Sequence, residues 1–309
     1  MKDYINSQHR YYTLDYYYKQ KYNSKVFKVA LNGNFTCPNR DGTISKDGCI
    51  FCSASGSGDF AGDKNKPLKI QFEEIKEILH KKWKDAKYIV YFQANTNTYG
   101  PISKLKTLFN EAITLDQNIV GINIATRPDC ISNETLDYLS ELNKKIPVVI
   151  ELGLQTIHES TAKLINRGYE LNVFVDAVKK LKDKNIEVVV HIINGLPHET
   201  KDMMLQTVKF LNDLEIDGIK IHSLFILKDT KLAKMYFNNE FTVQSLEDYV
   251  DVVTEQLALI NENIVIHRIN GDAPRDLLIG PQWSIKKLVV MNEIDKVMKQ
   301  KNYYQGIKK

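Results

Sequence analysis

Apolar and polar positions along this chain follow two alternating rhythms. Short runs rich in β-branched residues, at Val26–Leu31, Tyr88–Phe92, Val120–Ala125, Val148–Leu152, Ile186–Ile192 and Gly218–Leu224, read as buried strands. Between them, apolar residues recur every three to four positions and predict helices at Phe72–Trp83, Ser103–Ile113, Asn133–Leu142, Val173–Lys182 and Lys201–Leu214. In the first of these, Phe72, Ile75, Ile78 and Leu79 share one face. Such alternation predicts an α/β fold around a parallel sheet, because parallel strands need a crossover long enough to hold a helix. Six units predict an incomplete (β/α)6 TIM-like barrel, open along one side where the closed form has eight. After about Phe225 the rhythm changes to a helix near Leu246–Ile260, a strand near Ile264–Arg268 and a helix near Ile285–Lys299. The expected organisation is an N-terminal arm over 1–25, the partial barrel over 26–225, and an α/β C-terminal extension over 226–309 packed on the barrel.

Composition narrows the function classes. With Lys+Arg 42 against Asp+Glu 38 the net charge is only +4, which permits an RNA or nucleotide substrate without requiring one. The first ten residues lack an apolar signal region, and no window approaches the ~18 consecutive apolar residues of a membrane span. A cytoplasmic chain without a membrane partner is expected. In a reducing compartment four cysteines argue for metal binding or catalysis over disulfides.

Three of those cysteines fall within sixteen residues, as Cys37-Pro-Asn-Arg-Asp-Gly-Thr-Ile-Ser-Lys-Asp-Gly-Cys49-Ile-Phe-Cys52, directly after the first predicted strand. Loops that follow strands form the catalytic face of a βα barrel, so a metal held there would face the chemistry. Three thiolates are one short of the usual set for a [4Fe–4S] cluster and would leave one iron open. They equally fit a closed zinc site that recruits Cys130 or a histidine, and spacing alone leaves both open.

The C-x11-C-x2-C spacing, with Phe51 before the last cysteine, resembles the cluster loop of radical S-adenosylmethionine (SAM) proteins related to the Elongator catalytic subunit and the coproporphyrinogen dehydrogenases. More narrowly, Cys37–Cys52, Ser53–Asp63, Tyr91–Tyr99, Ile124–Cys130, Glu151–Thr156, His191–Pro197 and His267–Trp283 resemble the YtqA (MnmL)/YhcC-like group. The resemblance implies a radical SAM partial barrel with a [4Fe–4S] cluster on Cys37, Cys49 and Cys52. It implies that SAM chelates the open iron and is reductively cleaved to a hydrogen-abstracting 5′-deoxyadenosyl radical. It further implies a low-potential electron donor of flavodoxin or ferredoxin type, and tRNA as substrate. The expected reaction converts wobble 5-carboxymethylaminomethyl(-2-thio)uridine to the aminomethyl form, ahead of a separate tRNA methyltransferase. Two alternatives are an oxidase of a tetrapyrrole or other small metabolite, and a zinc-stabilised RNA-binding module without redox chemistry.

Residues at predicted strand ends are the candidates for the site. Phe51, Thr126, Arg127, Asp129, His191 and Asn194 are expected at the cofactor, with an internal Arg127–Asp129 ion pair as the alternative for that pair. Alternation puts Glu151, Gly153 and Gln155 on one face of the fourth strand; acidic and amide groups there need polar partners, and Glu151 and Gln155 are expected to find them in a polar cofactor. Arg167 lies where the resembling proteins carry Asn-Arg-Gly-His, which implies a SAM carboxylate anchor; Tyr169 replaces the histidine. Lys220 and His222 share a face of the sixth strand and, with Tyr169, are the candidate catalytic groups. Gln93 and Asn95 stand where many radical SAM enzymes carry a Gly-Gly-Glu segment that binds the SAM amino group, and the resemblance implies that they take its place, with a simple polar loop as the alternative. Seven tyrosines by residue 22, with Arg10, Lys19 and Lys21, suit either base stacking or an arm packed on the barrel.

Overall fold

The computed structural model describes residues 4–5, 9–56, 58–81, 83 and 85–309. Parts of the expected arm (1–3, 6–8), of the segment after the cysteines (57) and of the first predicted helix's end (82) lie outside these residues. Helix α1 (Leu14–Tyr22) precedes β1 (Val26–Leu31), α2 (Leu68–His80), β2 (Lys87–Phe92), α3 (Ile102–Ala112), β3 (Ile119–Thr126), α4 (Asn133–Asn143) and β4 (Val148–Gln155). Then come α5 (Glu159–Leu164), α6 (Leu171–Asp183), β5 (Glu187–Asn194), α7 (Lys201–Asn212) and β6 (Gly218–Ser223). The remainder is β7 (Ile226–Leu227), α8 (Lys231–Phe237), α9 (Leu246–Leu259), β8 (Val265–Arg268), β9 (Leu278–Gly280) and α10 (Lys287–Gln300).

Seven strands form one parallel sheet in the order β1-β2-β3-β4-β5-β6-β8. The expected six-strand sheet therefore gains a member from the C-terminal extension, because α9 crosses back and delivers β8 beside β6. The sheet must curl. In a flat sheet β1 and β4, three strands apart, would be separated by about 14 Å, yet Lys28 on β1 reaches the Glu151 carboxylate on β4, which Lys220 also reaches from β6 on the other side, two strands away. One face packs against the helices through wholly buried residues such as Val29, Ile122, Ile150, Leu152, Val190 and Ile221. Its concave face carries the polar groups.

Helix α1 lies beneath the strand N-termini. Tyr17 donates to Glu187 at 3.0 Å, Tyr22 to the carbonyl of Val120 at 3.4 Å, and Lys87 to the carbonyl of Tyr22 at 3.1 Å. Tyr18 is buried against Val26 and Ile89, while Tyr12 and Thr13 bridge to Ile266 of β8. Tyr4, Tyr11 and Tyr18 are buried and Tyr4 stacks on Tyr12 at 4.8 Å, so these rings pack inward instead of presenting open faces to bases.

Candidate active site

The loop between β1 and α2 is tied down by its own polar groups. The carbonyl of Cys37 accepts from the N–H groups of Arg40 at 2.8 Å and Asp41 at 3.1 Å, closing a turn. Buried Asn39 donates to the carbonyl of Asn166 at 2.6 Å and to Cys49 Sγ at 3.6 Å, and Asn166 in turn donates to the carbonyl of Gly48 at 2.6 Å. Gly48 takes a φ of 71°, which a side chain would resist. Arg40 holds the following stretch through the carbonyls of Ser53 and Ala54, each at 2.9 Å.

So fixed, Cys37, Cys49 and Cys52 line one cavity at the strand C-termini, with Phe51 beside them; Cys130 does not line it. Its non-atom space, counted to the open mouth, is about 1000 Å³. The three thiols share one stretch of cavity wall. A hydrogen bond from Cys52, aided by the charges of Arg127 and Arg167 and opposed by burial, lowers Cys49 to about 7; Cys52 is raised correspondingly.

Gln93, Asn95, Thr126, Gln155, His191 and His222 also line this cavity. Thr126 shares a 2.6 Å hydroxyl contact with Thr98. The two arginines are more occupied than the sequence implies. Arg127 forms the alternative ion pair, a fork on Asp129 at 2.9 and 2.7 Å, and also donates to the carbonyl of Arg167 at 2.8 Å. Arg167 donates to the carbonyls of Tyr169, Leu154 and Thr156 and to Glu159. The Tyr169 ring centroid lies 4.9 Å from the Arg127 guanidinium and 4.6 Å from that of Arg167, with its hydroxyl given to the carbonyl of Gly153. Arg127, Arg167 and Tyr169 thus line the cavity as a braced part of its wall, with Asp129 outside the lining.

Asn194 does not join the cavity. Two strand positions on one face differ by an even number, so Asn194 points away from His191. It forms a reciprocal amide pair with Gln256 of α9, at 2.8 and 2.9 Å. We expect Asn194→Ala to lower the melting temperature through about 1–3 kcal/mol of lost buried hydrogen bonding, with SAM affinity by calorimetry unchanged.

Glu151 is the centre of the concave face, and it is saturated. Oε1 accepts from Lys28 and Asn123, each at 2.8 Å; Oε2 accepts from His191 at 2.9 Å and from Lys220. Although burial works against it, the surrounding cations hold its carboxyl well below the ordinary range. Burial, partly offset by Glu151 and reinforced by Lys28 and Arg268, lowers Lys220 to about 7. Burial and the Lys220 charge lower His191 to about 4, and burial keeps His222 neutral, with its Nε2 unpartnered. Lys28, Asn123, Tyr91 and Arg268 belong to this assembly without having been expected there.

The sequence pattern of the Radical SAM superfamily matches residues 37–211, and that of the Radical_SAM C-terminal domain matches 216–300. The chain belongs to the radical SAM superfamily. It is 50% identical to YtqA of Bacillus subtilis over 303 residues, 98% of this chain and 94% of that protein. It is 26% identical to the tRNA uridine(34) acetyltransferase of Methanocaldococcus infernus over 191 residues, 61% of this chain and 35% of that one. The solved structure of M. infernus Elp3 superposes with a TM-score of 0.68 at 19% identity, covering 91% of this chain and 64% of that one, which shows the shared partial barrel.

Radical SAM proteins use a [4Fe–4S] cluster and SAM, and this cavity suits both. Its donor set is three thiols, one already acidified, against a positively charged wall. Gly153 also lines it, and a Cβ there would stand 2.7 Å from the Gln155 amide and displace that side chain. Among the described residues no helix is long and apolar enough to cross a membrane.

Proposed function

We infer that this radical SAM enzyme acts on tRNA, converting wobble 5-carboxymethylaminomethyl(-2-thio)uridine to the aminomethyl nucleoside with release of a two-carbon aldehyde acid. The observation that carries this reading is a second chamber, continuous with the cysteine cavity through Gln93, Gln155, His191 and His222. Phe51, Phe60, Leu224 and Phe225 wall it, and Phe60 is half exposed, a surface suited to an unstacked base. The relative named for tRNA uridine(34) supports the same substrate class.

Cys37, Cys49 and Cys52 would hold the cluster, and the bound cluster and SAM supply hydrogen-atom abstraction and one-electron transfer at the substrate CH₂. Oxidising that carbon to an imine also releases the proton on the adjacent nitrogen. Lys220 Nζ is the base for it, because a lysine near 7 is partly neutral at physiological pH. Glu151 and Tyr91 hold that amine in place. Water then hydrolyses the imine. The electron donor is a small low-potential protein of flavodoxin or ferredoxin type.

The deciding experiment incubates reduced, cluster-reconstituted protein with SAM and tRNA bearing the carboxymethylaminomethyl base, followed by nucleoside analysis. The aminomethyl nucleoside should appear in step with 5′-deoxyadenosine. Unchanged nucleosides despite 5′-deoxyadenosine formation reject the substrate, and stimulation of SAM cleavage by a tetrapyrrole instead of tRNA favours the small-metabolite reading. Conversion should rise with pH through about 7, as Lys220 loses its proton, and then level off. Lys220→Met should remove this inflection and slow conversion about 100-fold or more.

A further inference from the structure

Arg268, the last residue of β8, stands where the two chambers meet. Among the described residues it is the one lysine or arginine that lines both, and it also faces a third hollow beside Lys19 and Lys287. Its side chain is 36% exposed, and its nearest carboxylate, Asp272, lies at 3.7 Å, beyond hydrogen-bond reach. Asp272 is itself in close contact with Lys287. No described residue accepts a hydrogen bond from the Arg268 guanidinium, which carries five donors in a planar fork. Arg127 and Arg167 differ sharply, since each gives at least three hydrogen bonds to the chain.

Among the described residues Asp272 is the one carboxylate within ion-pair distance of Arg268, and it is shared with Lys287. Lys28, Lys220 and Arg268 face the single carboxylate of Glu151, whose oxygens already accept from four donors. Asp59, on the second chamber's wall, is engaged by the hydroxyls of Ser53 and Ser55. Arg268 lies close enough to bear on Lys220, His191 and His222, lowering the proton affinity of all three. A guanidinium fork whose donors have no hydrogen-bond acceptor among the described residues, beside an aromatic wall, is a receptor for a flat ligand with an anionic oxygen pair.

We propose that Arg268 is the specificity residue of this cleft, gripping the terminal carboxylate of the substrate side chain while the base lies against Phe60 and Phe225. The proposal rests on the wobble-uridine reading and adds the group by which a carboxylated base is told from an uncarboxylated one. A backbone phosphate could offer the same oxygens, so the test separates the two sources.

Cluster-reconstituted protein with SAM and no reductant is titrated with two anticodon stem-loops, one bearing the carboxymethylaminomethyl base and one the aminomethyl base. Their phosphates are identical, so only the carboxylate differs. The native protein should bind the first about 10- to 100-fold more tightly, the range for a charge-assisted fork. Arg268→Gln should bring the two affinities to within about two-fold by weakening only the first, and Arg268→Lys should keep part of the ratio. Thermal melting checks that the glutamine variant folds; if it does not, the lysine variant decides, and an unchanged ratio there overturns the fork. Equal weakening of both stem-loops by Arg268→Gln assigns the contact to phosphate and overturns the proposal. A ratio preserved in Arg268→Gln also overturns it while leaving the wobble-uridine reading intact, whereas no discrimination by the native protein removes both.

Discussion

Alanine at Cys37, Cys49 or Cys52 is expected to leave a folded chain that retains little iron and forms no 5′-deoxyadenosine above background. A cubane on three protein thiolates has no spare protein ligand, and Cys130 lies outside the cavity lining. The loop's own anchors, Asn39 on Asn166, Asn166 on Gly48 and Arg40 on two carbonyls, do not involve the cysteine side chains being removed. Melting temperature of the metal-free variants should therefore stay close to that of the metal-free native protein. Iron and sulfide per chain, together with 5′-deoxyadenosine yield, make the check; full iron and turnover in any one variant would exclude that cysteine as a ligand. Cys130→Ala should retain both, because burial raises its thiol above the ordinary range and keeps it protonated.

The strands were legible because parallel strands covered on both faces are nearly continuous apolar runs, and Val26–Leu31 is both the expected and the observed β1. Strand β8 is only four residues long, and nothing local announces that α9 will return it to the edge of β6. Within the site, the two-residue period correctly joined Glu151 with Gly153 and Gln155, and Lys220 with His222. The same period separates Asn194 from His191, a signal present in the numbering but outweighed by the appeal of a polar residue at a strand end. Lys28 was also detectable in principle: a lysine between Phe27 and Val29 in a buried strand demands a counter-charge. Its partner, Glu151, lies 123 positions away, and only the curl of the sheet brings them together. The arginines show the converse limit. Sequence offers the Arg127–Asp129 pair as an alternative, but does not show that main-chain carbonyls occupy the remaining donors of Arg127 and most of those of Arg167, while no described residue accepts a hydrogen bond from Arg268.

Glu151→Gln should destabilise the fold by about 3–5 kcal/mol near pH 6, the usual consequence of stripping the partner from buried cations. Gln can still accept from Lys28 and Asn123 with its remaining oxygen, but its NH₂ would face the Lys220 ammonium, donor against donor. Lys220 would escape by losing its proton at a lower pH than the value of about 7 it has beside the carboxylate. Between those two values the native protein's folded state holds one more proton than the variant's. The stability gap therefore narrows as pH rises toward about 7 and stays flat above it. Glu151 itself, held below the ordinary range, contributes stability above the unfolded carboxyl pKa that is lost as pH falls through the folded value. Urea unfolding of both proteins at pH 6 and pH 8 measures the gap and its direction. Adding Lys220→Met to Glu151→Gln should recover part of the loss, since the lysine that lacked an acceptor is gone. A gap below about 1 kcal/mol at pH 6, the scale of a solvent-exposed pair, would show that these four donors are not held by a buried charge.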